Sequence, residues 1–404
     1  MKKDSSYDDV FIKLVELHVP SLVELPPHFH TTKNLPSDLL PTLLKAFQMS
    51  SSSFSDILSS INPDLLIYDM FQPWAPKIAS SKGIPSVYFA TSGAAPFSFY
   101  HHVYTMGDGS TFPYPAIYLL DHERINFRDR LIPYLKDADD DFAFGNLTKS
   151  CEIVLMKSCR EVEEKYIDYL SVLCKKRVVT TGPLIVDSND YDHEEFSKIM
   201  KWLSGKSRHS TVYISFGSEY FLSKEQIVEI AKALELCEAN FIWVVRFPGD
   251  EKMTSVENAF LIEFLERVKE RGLIVPRWAP QTKILAHPSV GGFVSHCGWS
   301  SITEGMYFGV PIIGMPMKSE QPINARLVVE VGAGVEVGRE GNGLYVRERI
   351  VKVINKVIAE KEFCEDTRNR AKKLSEKIKE KEEQEVNEVA MELLKICMKN
   401  KQQV

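Results

Sequence analysis

Between Trp278 and Gln321 three strand-turn-helix units follow one another. Strands joined through helices pair in parallel and build an open α/β sheet covered on both faces. Residues 273–275 are an apolar run ending just before Trp278-Ala279-Pro280. Residues 291–295 read as a short buried strand that turns at His296 into a helix reaching Phe308. Residues 310–316 are the next strand, delivering Glu320 and Gln321 to the mouth of another helix. The same alternation runs along the chain. Strands are expected at 11–19, 65–69, 84–90, 151–157 and 178–184, with helices at 36–60 and 74–82. Further on, strands at 211–216, 241–246, 273–275, 291–295, 310–316 and 334–337 are separated by helices such as 224–238. The pattern is parallel and doubly wound. A polar, acidic run at 186–195 reads as an exposed linker between a first domain, 1–185, and a second, 196–363. The tail, 364–404, is a charged helical pattern whose Leu374, Ile378, Val386, Val389, Leu393 and Leu394 form an apolar stripe.

The side chains at the three strand ends share a chemistry. Trp278, with the Ala279 backbone beside it, offers an indole plane and main-chain groups, which suit a flat base such as uracil. The turn His296-Cys297-Gly298-Trp299-Ser300-Ser301 opens a helix, whose first N–H groups and positive dipole end suit a diphosphate. Gly298 permits close backbone approach, and His296 and Ser301 add side-chain donors. Glu304, one turn on, can accept two hydrogen bonds from vicinal hydroxyls, as a ribose presents. Glu320 and Gln321 supply a carboxylate and an amide for sugar hydroxyls. Ser215-Phe216-Gly217-Ser218 ends another strand with a tight turn able to reach a phosphate from the opposite side. Each residue alone is as well explained by packing; the ordered set reads as one nucleotide-sugar pocket at strand ends.

The segment from Trp278 to Gln321 resembles the signature box of the plant UDP-dependent glycosyltransferases. The resemblance implies that Trp278 stacks on uracil, Gln281 lies near base and ribose, and Glu304 binds the ribose hydroxyls. It also implies that His296 and Ser301 bind phosphate and that Trp299, Glu320 and Gln321 hold the donor sugar. Two positions depart from the family pattern. Ser300 stands where Asn is usual and Glu320 where Asp is usual, and they bear on phosphate contact and donor-sugar preference. The implied architecture is two Rossmann-like domains facing each other across a cleft (the GT-B type), with the tail crossing back onto the first. Inverting transfer in that family uses a base histidine placed after the first strand of the first domain and oriented by an acid. Asp69 matches the acid, although by itself it reads equally well as a helix cap or loop hydrogen-bonder. The histidine and its strand would precede Phe11, so the expectation is a first domain truncated at its N-terminus. His28, His30, His101 and His102 are expected in surface or packing roles. Two functions follow: a UDP-sugar-dependent enzyme, or a nucleotide-sugar-binding protein without turnover.

The segments Phe216 to Phe221 and Gln321 to Val328 resemble the branch of that family that adds a sugar to the sugar of a flavonoid, terpenoid or apocarotenoid glycoside. An acceptor wall would come from Phe71, Phe89, Thr91, Ser92, Phe97, Phe99, Tyr100 and residues 112–118, although most of these aromatics are better explained as core. A net charge of −6 offers no basic footprint for nucleic acid. Seven cysteines without a Cys-x-x-Cys pair read as reduced thiols of a cytoplasmic protein. No apolar run is long enough for a membrane span and no signal-peptide core follows Met1, so the sequon Asn146-Leu147-Thr148 is expected to be unused. A monomer is expected. Asp137-Ala138-Asp139 and Asp190-Tyr191-Asp192 have the Asp-x-Asp spacing of some metal-dependent glycosyltransferases, but both sit in acidic, loop-like runs. The expectation is that neither a metal nor any other cofactor is used.

Overall fold

The computed structural model describes residues 12–32, 35–36, 39–107, 109–126, 144–186, 193–218, 220–245, 255–276, 278–341 and 343–403. Among the described residues ten strands form two sheets, and every strand pair is parallel. The first sheet holds β1 (Leu66–Tyr68), β2 (Ser86–Ala90), β3 (Ile153–Met156) and β4 (Arg177–Thr180), in that order. The second holds β5 (Thr211–Ser215), β6 (Asn240–Val244), β7 (Gly272–Val275), β8 (Val290–Ser295), β9 (Ile312–Gly314) and β10 (Gly334–Glu336), in the order β10-β9-β8-β5-β6-β7. Central strands β5 and β8 are buried at every residue, as strands covered on both faces must be.

Helices supply that cover. Ahead of β1 come α1 (Leu40–Gln48) and α2 (Ser51–Ile61), and the first sheet is connected by α3 (Ala75–Ser81), α4 (Ala94–Met106), α5 (Asp121–Asn126), α6 (Phe144–Thr148) and α7 (Arg160–Cys174). Next, α8 (His193–Ser204) leads into the second sheet. Its strands are joined through α9 (Lys224–Leu236), α10 (Ser255–Val268), α11 (Gln281–Leu285), α12 (Trp299–Phe308) and α13 (Gln321–Glu330), with α14 (Arg347–Ile358) and α15 (Lys361–Gln403) following. The result is two Rossmann-like α/β domains. One apolar core runs through both, since Tyr88 and Met156 of the first belong to the same cluster as Tyr213, Trp299 and Ile302 of the second.

Three local expectations change. No strand forms at 12–19; the bridge nearby joins Leu22 to Leu25, and Ile12, Leu14 and Val15 stay exposed, because no neighbouring strand pairs with the alternating pattern. The expected single helix at 36–60 breaks at Met49-Ser50. The Ser50 hydroxyl there turns back to the Ala46 carbonyl (3.5 Å), in competition with the helical ladder. Within the tail, Val386 and Leu394 remain exposed, while the buried face shifts to include Ile396. Helix α8 starts within the stretch read as a linker, of which residues 187–192 lie outside the described residues.

Helix α15 touches both domains. Leu374 and Ile378 enter the core beside Trp299 and Met306, and Val389, Leu393 and Ile396 cover Val87, Ile153, Leu155 and Val179 on the back of the first sheet. Polar ties fix the register: Thr180 Oγ1 donates to Glu385 (2.6 Å), Arg177 pairs with Glu392, and Lys399 pairs with Glu152.

Candidate functional site

In the second sheet β5 and β8 lie side by side, but the chain leaves them in opposite directions, from β5 toward β6 and from β8 toward β9. At such a switch point the carboxyl-end loops splay apart and leave a crevice. The loops here are Phe216 to Ser218 and His296 to Ser301. Gly217 has φ +76°, and a Cβ built on it falls 2.6 Å from the His296 ring; one built on Gly298 falls 2.5 Å from Nε2 of the same ring. Both glycines therefore clear space for one imidazole, which occupies the junction of the loops. Burial, reinforced by the Lys318 charge and opposed by the Ser215 backbone, holds His296 down to about 4. At neutral pH it is an uncharged ring that can donate one hydrogen bond.

The turn after His296 carries strain. Cys297 takes the left-handed conformation (φ 65°). Its N–H donates to Ser295 Oγ (3.1 Å), and its carbonyl accepts from the fully buried Asn324 (3.0 Å). These bonds hold a conformation a cysteine rarely adopts. They aim the chain into α12, whose N-cap Gly298 is extended and carries no side-chain cap, so the first N–H groups face the crevice mouth. Ser301 is buried in that first turn and Ser300 is exposed on it.

Trp278, after β7, leaves 51% of its surface exposed, as a stacking plane must. Gln281 opens α11 and links three elements. Its Nε2 donates to Glu304 (2.8 Å) and to Ser301 Oγ (3.4 Å), and its Oε1 accepts from Tyr213 (3.3 Å). Burial pushes the Glu304 carboxyl up, while the bond from Gln281 and the Lys157 charge pull it down. Gln281 and Glu304 thus meet in one place. Ala279 is buried, and Ser218 lies exposed beyond Gly217. Glu320 takes the N-cap position of α13 without capping it by its side chain. Gln321 Oε1 accepts from the Met317 and Lys318 amides (2.8 and 2.9 Å), bonds in which its NH₂ takes no part.

Trp299 has a different place from the one its side chain suggests. The indole is buried against Gly93 at the start of α4, and its N–H donates to the Lys157 carbonyl (2.6 Å). The ring joins the two domains, while the Trp299 main chain opens α12. Asp69 stands at the carboxyl end of β1, where its Oδ1 accepts from the Phe71 amide (2.8 Å) and its N–H donates to Gln72 (2.9 Å). In this geometry it is a loop brace. Of the aromatic set, Phe99, Tyr100 and Phe112 are buried in core packing. Phe89 packs on the far face beneath α15. Phe71, Thr91 and Tyr118 remain exposed. His101 and His102 are buried on α4, with His102 Nδ1 2.6 Å from the Tyr169 hydroxyl. Both are packing residues, and His28 and His30 sit on or beside a short 3₁₀ turn near the surface.

Several contributors had no motif to announce them. Lys157, one residue past β3, sends Nζ to Ser300 Oγ (3.1 Å); a cation at the carboxyl end of an apolar run was its signal. Glu163 is fully buried and accepts from the Ala94 and Ala95 amides (2.8 and 2.7 Å) and from Ser158, gripping the start of α4. Arg326 makes a two-pronged bond to Glu123 across the domains (3.0 and 2.9 Å), both side chains being 4% exposed, and Glu336 lies 3.6 Å away.

Both Asp-x-Asp runs lie outside the described residues, and among the described residues no group of three or more His, Cys, Asp or Glu is placed to hold a metal. All seven cysteines are free thiols. Among the described residues no helix is long and apolar enough to cross a membrane.

Two Rossmann-like domains facing each other, with a crevice at the switch point of the second, are the architecture of GT-B glycosyltransferases. Comparison with known proteins gives the family. The profile of the family described as UDP-glucoronosyl and UDP-glucosyl transferase matches residues 49–376. The chain is 47% identical to UDP-glucosyltransferase 29 of Panax ginseng over 400 residues, covering 99% of this chain and 88% of that protein. It is 45% identical to the beta-D-glucosyl crocetin beta-1,6-glucosyltransferase of Gardenia jasminoides, covering 94% and 86% respectively. Among solved structures it is similar to a Glycyrrhiza uralensis UGT complexed with glycyrrhetinic acid 3-O-monoglucuronide, with a TM-score of 0.79, 27% identity, and coverage of 95% of this chain and 84% of that one. The chain belongs to the UDP-glycosyltransferase family and is, by that membership, a UDP-sugar-dependent transferase acting on small molecules.

Proposed function

We propose that this protein transfers a sugar, glucose before others, from a UDP-sugar to a hydroxyl of a small-molecule glycoside, with inversion at the anomeric carbon. The observation that carries this reading is the His296 ring lodged between Gly217 and Gly298 at the start of α12, together with the bond that joins Gln281 of α11 to Glu304 of α12. Uracil stacks on Trp278, the ribose hydroxyls donate to Glu304, and the diphosphate lies across the first turn of α12 with neutral His296 and Ser301 as donors. Glu320, the Gln321 NH₂ and the Trp299 main chain hold the sugar. The acceptor oxygen attacks the anomeric carbon as the bond to the phosphate oxygen breaks, its proton passes to a base, and uridine diphosphate leaves into preorganised donors. Likeness to a relative named for building on a crocetin glucoside supports a glycoside acceptor. The protein works as a cytoplasmic monomer and calls on no metal, since backbone amides and side-chain donors meet the phosphates.

A binding protein without turnover is the second reading. It is favoured by Asp69, whose Oδ1 already serves the Phe71 amide. Release of uridine diphosphate from UDP-glucose with a flavonoid glucoside or glucosyl crocetin, with and without EDTA, separates the two. Release that is insensitive to EDTA and yields the inverted linkage is the expected result. Tight UDP binding with no release to any glycoside would establish the second reading instead.

A further inference from the structure

The donor crevice belongs to the second domain, yet one cation at its mouth comes from the first. Lys157 follows β3, and its main chain is fixed on two sides: its N–H donates to the Ala90 carbonyl (2.8 Å) and its own carbonyl accepts from the Trp299 indole (2.6 Å). With the backbone pinned there, the side chain crosses the domain boundary. Its amine reaches Ser300 Oγ in the first turn of α12 (3.1 Å) and lies within the field of Glu304, one turn on. The residues that would touch a diphosphate in that turn are uncharged, including the histidine. A diphosphate carries at least two negative charges, and its second phosphate gains charge as the glycosidic bond breaks. A charge-assisted bond is about twice as strong as a neutral one. A second cation, Lys318, acts by its charge on His296.

We propose that Lys157 is a diphosphate-binding residue supplied by the first domain: on donor binding its amine turns from Ser300 to a phosphate oxygen, so that the leaving group is clasped from both domains. The departure at position 300 fits this role. A serine hydroxyl is small enough to let the amine reach the helix mouth, and it returns to a neutral partner when the phosphate leaves. This inference rests on the donor-site reading given above.

The test is calorimetric titration of UDP and of uridine into the full chain and into Lys157→Met, with Lys157→Gln as a second variant that retains a hydrogen-bonding head without charge. Loss of roughly tenfold in UDP affinity, with uridine affinity unchanged, is expected of both variants. UDP bound equally by the parent and the variants, or UDP and uridine weakened alike, overturns the proposal, the latter because it would mark a packing role. No UDP binding by the parent would sink the donor-site reading itself and the proposal with it.

Discussion

In the proposed donor site, Trp278 and His296 serve one ligand in opposite physical ways. Trp278 works by staying exposed, so its removal should cost stacking and little stability. Trp278→Ala is expected to weaken UDP binding by roughly tenfold with an unchanged melting temperature, measured by titration and thermal denaturation. His296 works by being wedged. Gly217→Ala puts a methyl 2.6 Å from the ring and forces a left-handed alanine as well. The displaced donor should lower kcat/KM on the order of a hundredfold. The same burial makes His296 a pH sensor for stability. Its folded value of about 4 lies below the ordinary 6.5, so between these values the unfolded chain takes up a proton that the folded chain refuses. Its contribution to stability is whole above pH 6.5 and is lost as pH falls toward 4. In urea titrations across that window, His296→Gln should show a flatter profile than the parent.

Among elements, α4 depends on one carboxylate. The start of α4 lies deep in the interface, where its amides cannot reach water, and Glu163 from α7 accepts two of them. Glu163→Ala leaves both donors buried and unmet, so a loss of about 3 kcal/mol is expected in chemical denaturation. It should also disturb the Trp299 contact, because the indole rests on Gly93 directly before those amides. Burial pushes Glu163 up to about 7 against the pull of its three hydrogen bonds. Here the sign is opposite to that of His296: the group's contribution is whole below about 4.5 and declines as pH rises to about 7. Sequence periodicity found the helices and strands but not this dependence, since a glutamate three residues into an acidic helical start looks like any solvated charge. Only its burial against a distant helix end reveals it.

At the scale of the whole molecule, the two domains are joined by polar bonds set within a shared core. Arg326 and Glu123 are the most buried of these, and a buried pair is costly to break from one side. Glu123→Ala removes the two-pronged carboxylate and leaves the guanidinium with Glu336 and the Pro322 carbonyl; it should cost about 3–5 kcal/mol, whereas Glu123→Leu with Arg326→Met should recover most of that loss. Equilibrium unfolding of the single and double variants checks both. The alternation of strands and helices, the burial of β8, and the residue types from Trp278 to Gln321 were legible in the chain, because periodicity and composition record which residues face water. Which strand lies beside which, and which distant side chain reaches a site, was not. His296 meets Gly217 only because β8 pairs with β5, and Lys157 meets Ser300 only because α15 and the common core hold two sheets face to face. The order of parallel strands depends on how long crossovers pack, and no local pattern encodes that. Thus the residue types of the pocket came from sequence alone, whereas the side-chain wedge, the cross-domain lysine and the turning of Trp299 into an interface were decided by tertiary packing.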